Sequence, residues 1–265
     1  MHEAETIARA RAAELSNAYS EQKRIAEMLQ RSLLINVPED EFAGIKLATL
    51  YEPAWEEASV GGDFYDSFTV PGGKIALVVG DATGKGLAAA TRTAEVKFAL
   101  RAYMHEHLDP ARAMMALNYF LCDTYSAFPD SDSVVALSIG LVDIASGQVV
   151  FSAAGAEPPL VIGANKTPRF AESRGLPVGA FRDVEYINSA MPFGAGDTIL
   201  MATDGVTEAR RGKEFLSYEG MVKLAERHLG TSLSLRDEGR AMLDAARTFA
   251  GKFQDDVCIL LARHI

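Results

Sequence analysis

The residues best suited to chemistry in this sequence are aspartates that lie beside glycines or at the ends of apolar runs. The residues in such settings are Asp63, Asp81, Asp204, Asp255 and Asp256. Any one of them is explained by turn chemistry, because a short Asp side chain accepts hydrogen bonds from nearby backbone N–H groups. Together they indicate more, since strand ends in one sheet can converge at one edge and bring several carboxylates together.

Converging carboxylates repel one another and take up protons unless a cation neutralises them. Oxygen-rich sites of this kind suit Mg²⁺ or Mn²⁺. The neighbouring glycines, Gly61-Gly62 and Gly84-Lys85-Gly86, remove Cβ atoms where the backbone takes unusual dihedral angles or approaches a ligand closely. The pattern therefore predicts a divalent-cation site.

The spacing of residues in this sequence does not match other motifs that bind or cleave phosphate groups. The segment Gly80–Gly86 lacks the GxxxxGK[ST] spacing of a nucleotide P-loop and has Gly86 where the hydroxyl residue belongs. Neither Cys122 nor Cys258 has an Arg six positions on, as the Cys-x₅-Arg cradle of a cysteine phosphatase requires. The sequence contains no GxSxG nucleophile elbow. Hydrolysis by a Cys or Ser nucleophile of these kinds is not indicated.

The amino-acid composition further limits the class of protein to which this sequence can belong. Of the 265 residues, 48% are hydrophobic and 23% charged, which is typical of a globular protein with a sizeable core. The net charge of −10 argues against nucleic-acid binding, which needs clustered Lys and Arg. The acidic excess serves solubility, cation binding or both.

The cysteine spacing and the lack of a long apolar stretch indicate where in the cell this chain is expected. Its two cysteines form no CxxC pair, so neither a disulfide framework nor a zinc site is suggested, and a reducing cytoplasm fits. No stretch reaches the roughly 18 apolar residues that span a bilayer, so we expect no membrane segment in this chain. A membrane segment upstream in a longer parent protein stays open.

The N-terminal region, residues 1–37, is predicted to be a helical linker. Residues 3–34 contain no Gly or Pro and are rich in strong helix formers. Apolar or seam positions recur at alternating spacings of three and four, at Leu15, Ala18, Gln22, Ile25 and Leu29. This rhythm is typical of a coiled coil, although Gln22 interrupts it, and a single amphipathic helix packed on its own domain explains it equally well.

Residues 38–265 have the composition of one domain with mixed strands and helices. Strands are predicted at 45–51, 74–79, 134–142, 148–153, 159–162, 184–191, 198–202 and 257–262. Helices are predicted at 88–107, 110–128 and 218–253, the last broken near Gly230. Strands cluster in runs instead of alternating strictly with helices, which favours an α+β fold with helices on the sheet faces.

Five motifs in order resemble those of the PPM, or type 2C, phosphatases, and the closest branch is the bacterial SpoIIE/RsbU type. The motifs are Val60-Gly61-Gly62-Asp63-Phe64-Tyr65-Asp66, Gly80-Asp81-Ala82-Thr83-Gly84-Lys85-Gly86, Gly175-Leu176-Pro177-Val178-Gly179, Thr203-Asp204-Gly205-Val206-Thr207-Glu208 and Asp255-Asp256-Val257. The resemblance runs from about Gln30 to the C-terminus. It implies two packed antiparallel β-sheets flanked by α-helices, an α/β/β/α sandwich, with the metals at one edge.

The resemblance also implies roles for individual residues. Two divalent cations, Mn²⁺ or Mg²⁺, would activate water for attack on phosphorus. Asp81 would bridge them, with the Ala82 carbonyl as a further ligand and Asp63 serving the first cation. Asp204 and Asp255 would complete the second. Asp256 stands where many relatives have Asn and ranks below Asp255 as a ligand.

The resemblance implies a serine/threonine protein phosphatase. Its partner would be a phosphorylated STAS-domain anti-anti-sigma factor, and the N-terminal helix would convey a signal or form a homodimer. One loop departs from the family pattern Asn-Ala-Gly-His-x-Pro-Pro, because Ala153 and Ala156 replace its Asn and His. That departure is the support for an alternative, a pseudophosphatase scaffold that binds its partner without turnover. Hydrolysis of a small phosphorylated metabolite is a third interpretation.

Overall fold

The computed structural model describes residues 2–54, 61–126, 134–172 and 175–265. Its helices are α1 (His2–Leu33), α2 (Leu87–His107), α3 (Pro110–Tyr125), α4 (Asp204–Thr207), α5 (Ser217–His228) and α6 (Leu235–Ala250). Its strands are β1 (Ile45–Glu52), β2 (Asp63–Val70), β3 (Lys74–Ala82), β4 (Val135–Asp143), β5 (Gln148–Ala154), β6 (Leu160–Ile162), β7 (Pro168–Phe170), β8 (Ser189–Pro192), β9 (Thr198–Ala202), β10 (Arg210–Arg211), β11 (Glu214–Phe215) and β12 (Val257–His264).

Two five-stranded antiparallel sheets form the centre of the molecule. One has the order β1-β12-β9-β6-β7 and the other β2-β3-β4-β5-β8, while β10 and β11 form a separate hairpin. The two large sheets pack face to face, because side chains from both meet in one buried cluster that includes Leu77, Phe151, Met201 and Leu260. The predicted pair of antiparallel sheets is confirmed.

The alternation of side chains along each strand explains the layers. In β3, Ala76 and Val78 point to the helix side, whereas Ile75, Leu77 and Val79 point to the space between the sheets. The middle of this strand is buried on both faces, so residues 75–79 are all apolar instead of alternating with polar ones.

Helices cover the outer face of each sheet. Apolar residues of α2 and α3, such as Val96 and Leu117, pack on the sheet that contains β3. Residues of α5 and α6, such as Met221 and Met242, pack on the sheet that contains β12. The molecule is therefore a four-layer α/β/β/α sandwich preceded by α1, as the sequence predicts.

Helix α1 rests on the sandwich with its C-terminal half. Ala26 is fully buried against Ala90 of α2, whereas Leu15 is 74% exposed. Lys97 of α2 donates from Nζ to the carbonyl oxygen of Leu33, which ties the last turn of α1 to the sandwich. None of the helices within the described residues is long and apolar enough to cross a bilayer.

The sequence-based prediction misses β2. This strand contains Asp66 and Ser67, which are both buried, so it lacks the apolar run that identifies its neighbours. Asp66 is tolerated inside because Arg101 and Lys97 approach its carboxylate, with the Arg101 Nη2 to Asp66 Oδ1 distance at 2.6 Å. The local sequence around Asp66 does not show that two basic side chains of α2 pair with it in the fold.

The strand predicted at 184–191 is wrong over most of its length, since β8 covers only Ser189–Pro192. Residues before Ser189 contact the helices instead of forming a strand. Tyr186 packs in the core beneath α2 and α3, and the Asn188 side chain accepts a hydrogen bond from Ala111 N at the start of α3. The helix α3 predicted to extend to Phe128 ends at Tyr125, and Phe128 itself lies outside the described residues.

Candidate metal centre

Asp63 and Asp81 form a directly opposed pair on neighbouring strands. In the antiparallel register of β2 and β3, Asp63 lies across from Asp81. The alternation that sends Tyr65 and Val79 between the sheets sends both aspartates the same way. Opposed residues on one face have Cβ atoms about 5 Å apart, and like charges there are destabilising. The fold thus places two acids where they repel each other.

The other large sheet supplies the next residues. Strand β9 ends at Ala202, and Thr203 donates from its hydroxyl to Asp63 Oδ2 at 2.6 Å while accepting from Cys258 N at 2.9 Å. Asp204 then begins the short helix α4. Thr203 therefore bridges the two sheets and orients Asp63.

The turn before β12 supplies Asp255 and Asp256, whose side chains do different things. Asp255 accepts a hydrogen bond from Asp256 N at 2.8 Å. Asp256 is 7% exposed, and its two oxygens accept from Tyr51 Oη at 2.7 Å and Ala54 N at 2.8 Å. The oxygens of Asp256 are thus already engaged within the protein.

Gly62 shows how tightly the site is built. A Cβ atom added there would lie 1.9 Å from the carbonyl oxygen of Ala82 and 2.4 Å from Asp81 Oδ1. The Ala82 carbonyl and the Asp81 carboxylate therefore face the same small space, and only glycine leaves it open.

The acids of this cluster have unusual proton affinities. Burial and the nearby Asp204, Asp255 and Asp256 carboxylates raise the pKa of Asp81 to about 7. Burial and Asp81 raise the pKa of Asp63 well above its ordinary value, although the Thr203 hydroxyl opposes this. Burial, Glu208 and Asp255 raise the pKa of Asp204. Desolvation and mutual repulsion thus disfavour the ionised forms of these acids.

Within the described residues, no basic side chain pairs with these acids to offset their charge when they are ionised. Among the ion pairs formed within the described part of the chain, none involves Asp63, Asp81, Asp204 or Asp255. A cation is the remaining partner that would make the ionised cluster favourable. Carboxylate and carbonyl oxygens are the donors that hard divalent cations prefer.

The oxygen donors and the negative charge of the cluster suit a divalent cation, but the side chains are not arranged as a complete set of metal ligands. Across residues 2–54, 61–126, 134–172 and 175–265, no three His, Cys, Asp or Glu side chains stand close enough together to form a ready ligand set. Asp81, Thr203, Asp204 and Glu157 do line one pocket, so these side chains face a common space. A cation would close the set by drawing in carboxylates that otherwise repel.

Four of the five sequence motifs contribute residues to this site. Motif residues Asp63, Asp81, Ala82, Asp204 and Asp255 lie at one end of the sandwich, while Val60 of the first motif lies outside the described residues. Sequence reasoning missed Tyr51, which holds Asp256 from the end of β1. Its signal, a tyrosine ending an apolar strand, is too common to single it out.

The loop that differs from the family pattern at Ala153 and Ala156 contributes one more carboxylate to the site. Glu157 Oε1 accepts a hydrogen bond from the Thr207 hydroxyl of α4 at 2.6 Å, and its carbonyl oxygen accepts from Ser138 Oγ at 3.1 Å. Glu157 therefore joins the loop of Ala153 and Ala156 to the helix that begins with Asp204. The loop remains attached to the site although its family Asn and His are absent.

The sandwich with acids at one end defines a PP2C-type phosphatase fold. The SiaA-PP2C domain of Pseudomonas aeruginosa superposes with a TM-score of 0.78, is 18% identical, and covers 95% of this chain and 99% of its own. The RsbU and RsbW domains of Rv1364c from Mycobacterium tuberculosis superpose with a TM-score of 0.72 at 26% identity, over 87% of this chain and 62% of that one.

The chain belongs to the SpoIIE family, described as Stage II sporulation protein E, whose family model matches residues 71–265. The phosphoserine phosphatase RsbU of Bacillus subtilis is 26% identical over 210 residues, which are 78% of this chain and 60% of RsbU. In four curated relatives, including RsbU, the matched region spans 24% to 60% of the relative's length. The chain therefore corresponds to part of each of these proteins.

Proposed function

We propose that this chain is a metal-dependent serine/threonine protein phosphatase that acts in the cytoplasm. The observation that carries the proposal is the meeting of Asp63, Asp81 and Asp204 at one end of the sandwich with raised pKa values and no basic partner among the described residues. Such a cluster is costly for the fold unless it holds cations, so its placement indicates a function.

In this proposal two cations, Mn²⁺ or Mg²⁺, are held by five groups. These ligands are Asp63, Asp81, the Ala82 carbonyl, Asp204 and Asp255. Bound there, the cations would supply an activated water and offset charge on the phosphoryl oxygens. The protein's part is to fix the ligands: Thr203 orients Asp63, and the absence of a side chain on Gly62 keeps the Ala82 carbonyl accessible.

The substrate we propose is a phosphoserine or phosphothreonine on a partner protein, a STAS-domain anti-anti-sigma factor. Support comes from the relative RsbU, which is named a phosphoserine phosphatase. The centre lies at the rim of the sandwich, beside a pocket lined by Gly155, Glu157 and Asp204. Because Asp204 and Asp255 are exposed, a phosphorylated side chain that projects from a folded protein can reach them.

The second candidate is a scaffold that binds its partner without turnover. The observation in its favour is that Ala153 and Ala156 replace the Asn and His of the family pattern, and Ala156 lines the pocket beside Asp81 and Asp204. Asp63, Asp81, Asp204 and Asp255 are all present, however, and a scaffold has no need of a charged cluster that costs stability. We therefore favour the enzyme.

The N-terminal helix adds a proposal about assembly. Leu15 is 74% exposed and Ile25 is 41% exposed on α1, so two apolar members of the predicted seam are open to a partner helix. We propose that a second copy of the chain packs against this seam to form a homodimer. Ala26 faces α2 and Leu29 is partly buried against the same contact, so the seam is open to a partner at Leu15 and Ile25 and meets the sandwich at Leu29.

The proposed ligands are tested by Mn²⁺ anomalous scattering from soaked crystals. We expect peaks within about 2.5 Å of oxygens of Asp81 and Asp204. The Asp204→Asn variant should lose one of them, while Asp40→Asn, at an exposed carboxylate, should keep both. Peaks elsewhere on the molecule would refute the ligand set. A panel of phosphoserine peptides and phosphorylated metabolites then separates the protein substrate from the metabolite, since turnover of metabolites alone contradicts our proposal.

A further inference from the structure

The carboxylate of Asp256 is anchored on two sides. Oδ2 accepts from the Tyr51 hydroxyl and Oδ1 from the Ala54 amide, at 2.7 and 2.8 Å. A Cβ atom added to Gly61 would lie 1.6 Å from Oδ2, so the backbone at Gly61 presses against the same carboxylate. Asp256 thereby fixes the turn from which its neighbour Asp255 projects.

Tyr51 also contacts the N-terminal helix. Gln30 of α1 donates from Nε2 to Tyr51 Oη at 2.9 Å, and the same Nε2 lies 3.5 Å from the Gly61 carbonyl oxygen. Burial and the neighbouring Asp256 carboxylate raise the pKa of Tyr51 far above its ordinary value. The hydroxyl therefore stays protonated, so that it donates to Asp256 while accepting from Gln30.

These contacts form a continuous chain of three side chains. It starts on α1 at Gln30, passes through Tyr51 on β1, and ends on Asp256, which is 205 residues from Tyr51 in sequence. The end of α1 is held independently by Lys97, which donates to Leu33 O. A shift of α1 by about 1 Å would lengthen the Gln30 to Tyr51 distance beyond hydrogen-bonding range while leaving the helix attached.

We propose that Tyr51 is a positioning residue that couples the placement of helix α1 to the placement of the Asp255-Asp256 turn. The proposal rests on the function proposed above in one respect, namely that Asp255 holds a cation. When α1 is seated, Gln30 fixes the Tyr51 hydroxyl, Tyr51 fixes Asp256, and Asp255 is presented to the centre. When α1 shifts, the turn loses that support and cation binding weakens.

The first test needs no metal. Hydrogen exchange is measured on the metal-free protein at residues 27–33 and 255–258 for wild type, Tyr51→Phe and Tyr125→Phe. Tyr125 is a matched control, because its hydroxyl also donates to a carboxylate, Glu95 Oε2 at 2.6 Å, but makes no hydrogen bond to α1 within the described residues. We expect Tyr51→Phe to speed exchange in both segments by about fivefold. Unchanged exchange at 27–33 would overturn the coupling.

The second test is Mn²⁺ titration by calorimetry. Tyr51→Phe should weaken binding about tenfold, because Asp256 then loses the partner that fixes the turn carrying the proposed ligand Asp255, and Tyr125→Phe should not. Gln30→Leu should also weaken binding, and the double variant should be no weaker than Tyr51→Phe alone, since both act through one chain. Unchanged or tighter binding by Tyr51→Phe, or additive losses in the double variant, would overturn the proposal.

The two tests separate this inference from the proposed function. A wild-type protein that binds no Mn²⁺ refutes the metal centre, and the exchange measurement still decides whether α1 and the turn are coupled. A wild-type protein that binds Mn²⁺ with an unresponsive α1 leaves the enzyme intact and removes the coupling. Thermal unfolding of each variant identifies any change that comes from loss of the fold.

Discussion

Replacing Asp81 by Asn should stabilise the metal-free protein while removing its metal response. The pKa of Asp81 rises from 3.8 to about 7 because the group is buried beside other acids. At about 1.4 kcal/mol per pKa unit, its ionised form costs the fold at most about 4 kcal/mol. Asn keeps the size of the side chain and removes the charge, so this penalty disappears.

The sign of the pH dependence follows from the same shift. Between about pH 4 and pH 7 the folded carboxyl keeps a proton that the unfolded chain has released, so wild-type stability falls as pH rises through this window. The gain from Asp81→Asn should therefore grow from at most about 2 kcal/mol near pH 5 to at most about 4 kcal/mol near pH 8. Saturating Mn²⁺ should stabilise wild type and leave the variant unchanged.

The assay is urea unfolding in the presence of a chelator, at several pH values, for wild type, Asp81→Asn and the exposed control Asp40→Asn. The control should show no gain beyond about 0.5 kcal/mol, as is usual for exposed positions. An Asp81→Asn variant that is less stable than wild type near pH 8, or whose effect is independent of pH, would refute the account of a repulsive cluster.

Three further predictions follow from other contacts. Gly62→Ala should weaken Mn²⁺ binding at least about tenfold in calorimetry, because its Cβ would displace the Ala82 carbonyl. The control Gly194→Ala should bind normally, since the nearest atom to its added Cβ is an Asp197 oxygen 3.9 Å away. Equal affinity of the two variants would contradict the tight packing at Gly62. Lys97→Met should cost about 1–3 kcal/mol in urea unfolding, since Leu33 O and Tyr65 O lose a buried donor; the more exposed Lys46→Met should be near neutral, and no difference between them refutes the role. Polar replacements at Leu15 and Ile25, the exposed seam residues, should halve the mass measured by light scattering, and an unchanged dimer would exclude this seam.

Much of the fold could be predicted from the sequence because its central strands are apolar on both faces. Strands such as β3 and β9 stand out as uninterrupted apolar runs bounded by glycine or aspartate. Strand β2 does not, since Asp66 is made tolerable only by Arg101 and Lys97 on another element. Local pattern cannot report a partner that the fold brings from 35 positions away.

The candidate site was predictable in part for a similar reason. Asp63, Asp81, Asp204 and Asp255 could be named because they stand in recognisable motifs at element ends. The different situation of Asp256 could not, because its oxygens are engaged by Tyr51 and Ala54, more than 200 residues earlier. Composition and motif show which acids are present, whereas only the packing of β1 against β12 shows how each is used.

Phosphate release measured with and without Mn²⁺ tests the central claim most directly. A phosphoserine peptide serves as substrate for wild type and for the double variant Asp81→Asn with Asp204→Asn. Our account predicts Mn²⁺-dependent release by wild type and a loss of at least about a thousandfold in the variant, since the groups that stabilise the transition state are removed. Equal release by both proteins, or release that is indifferent to Mn²⁺, would contradict the assignment of these aspartates to a hydrolytic metal centre.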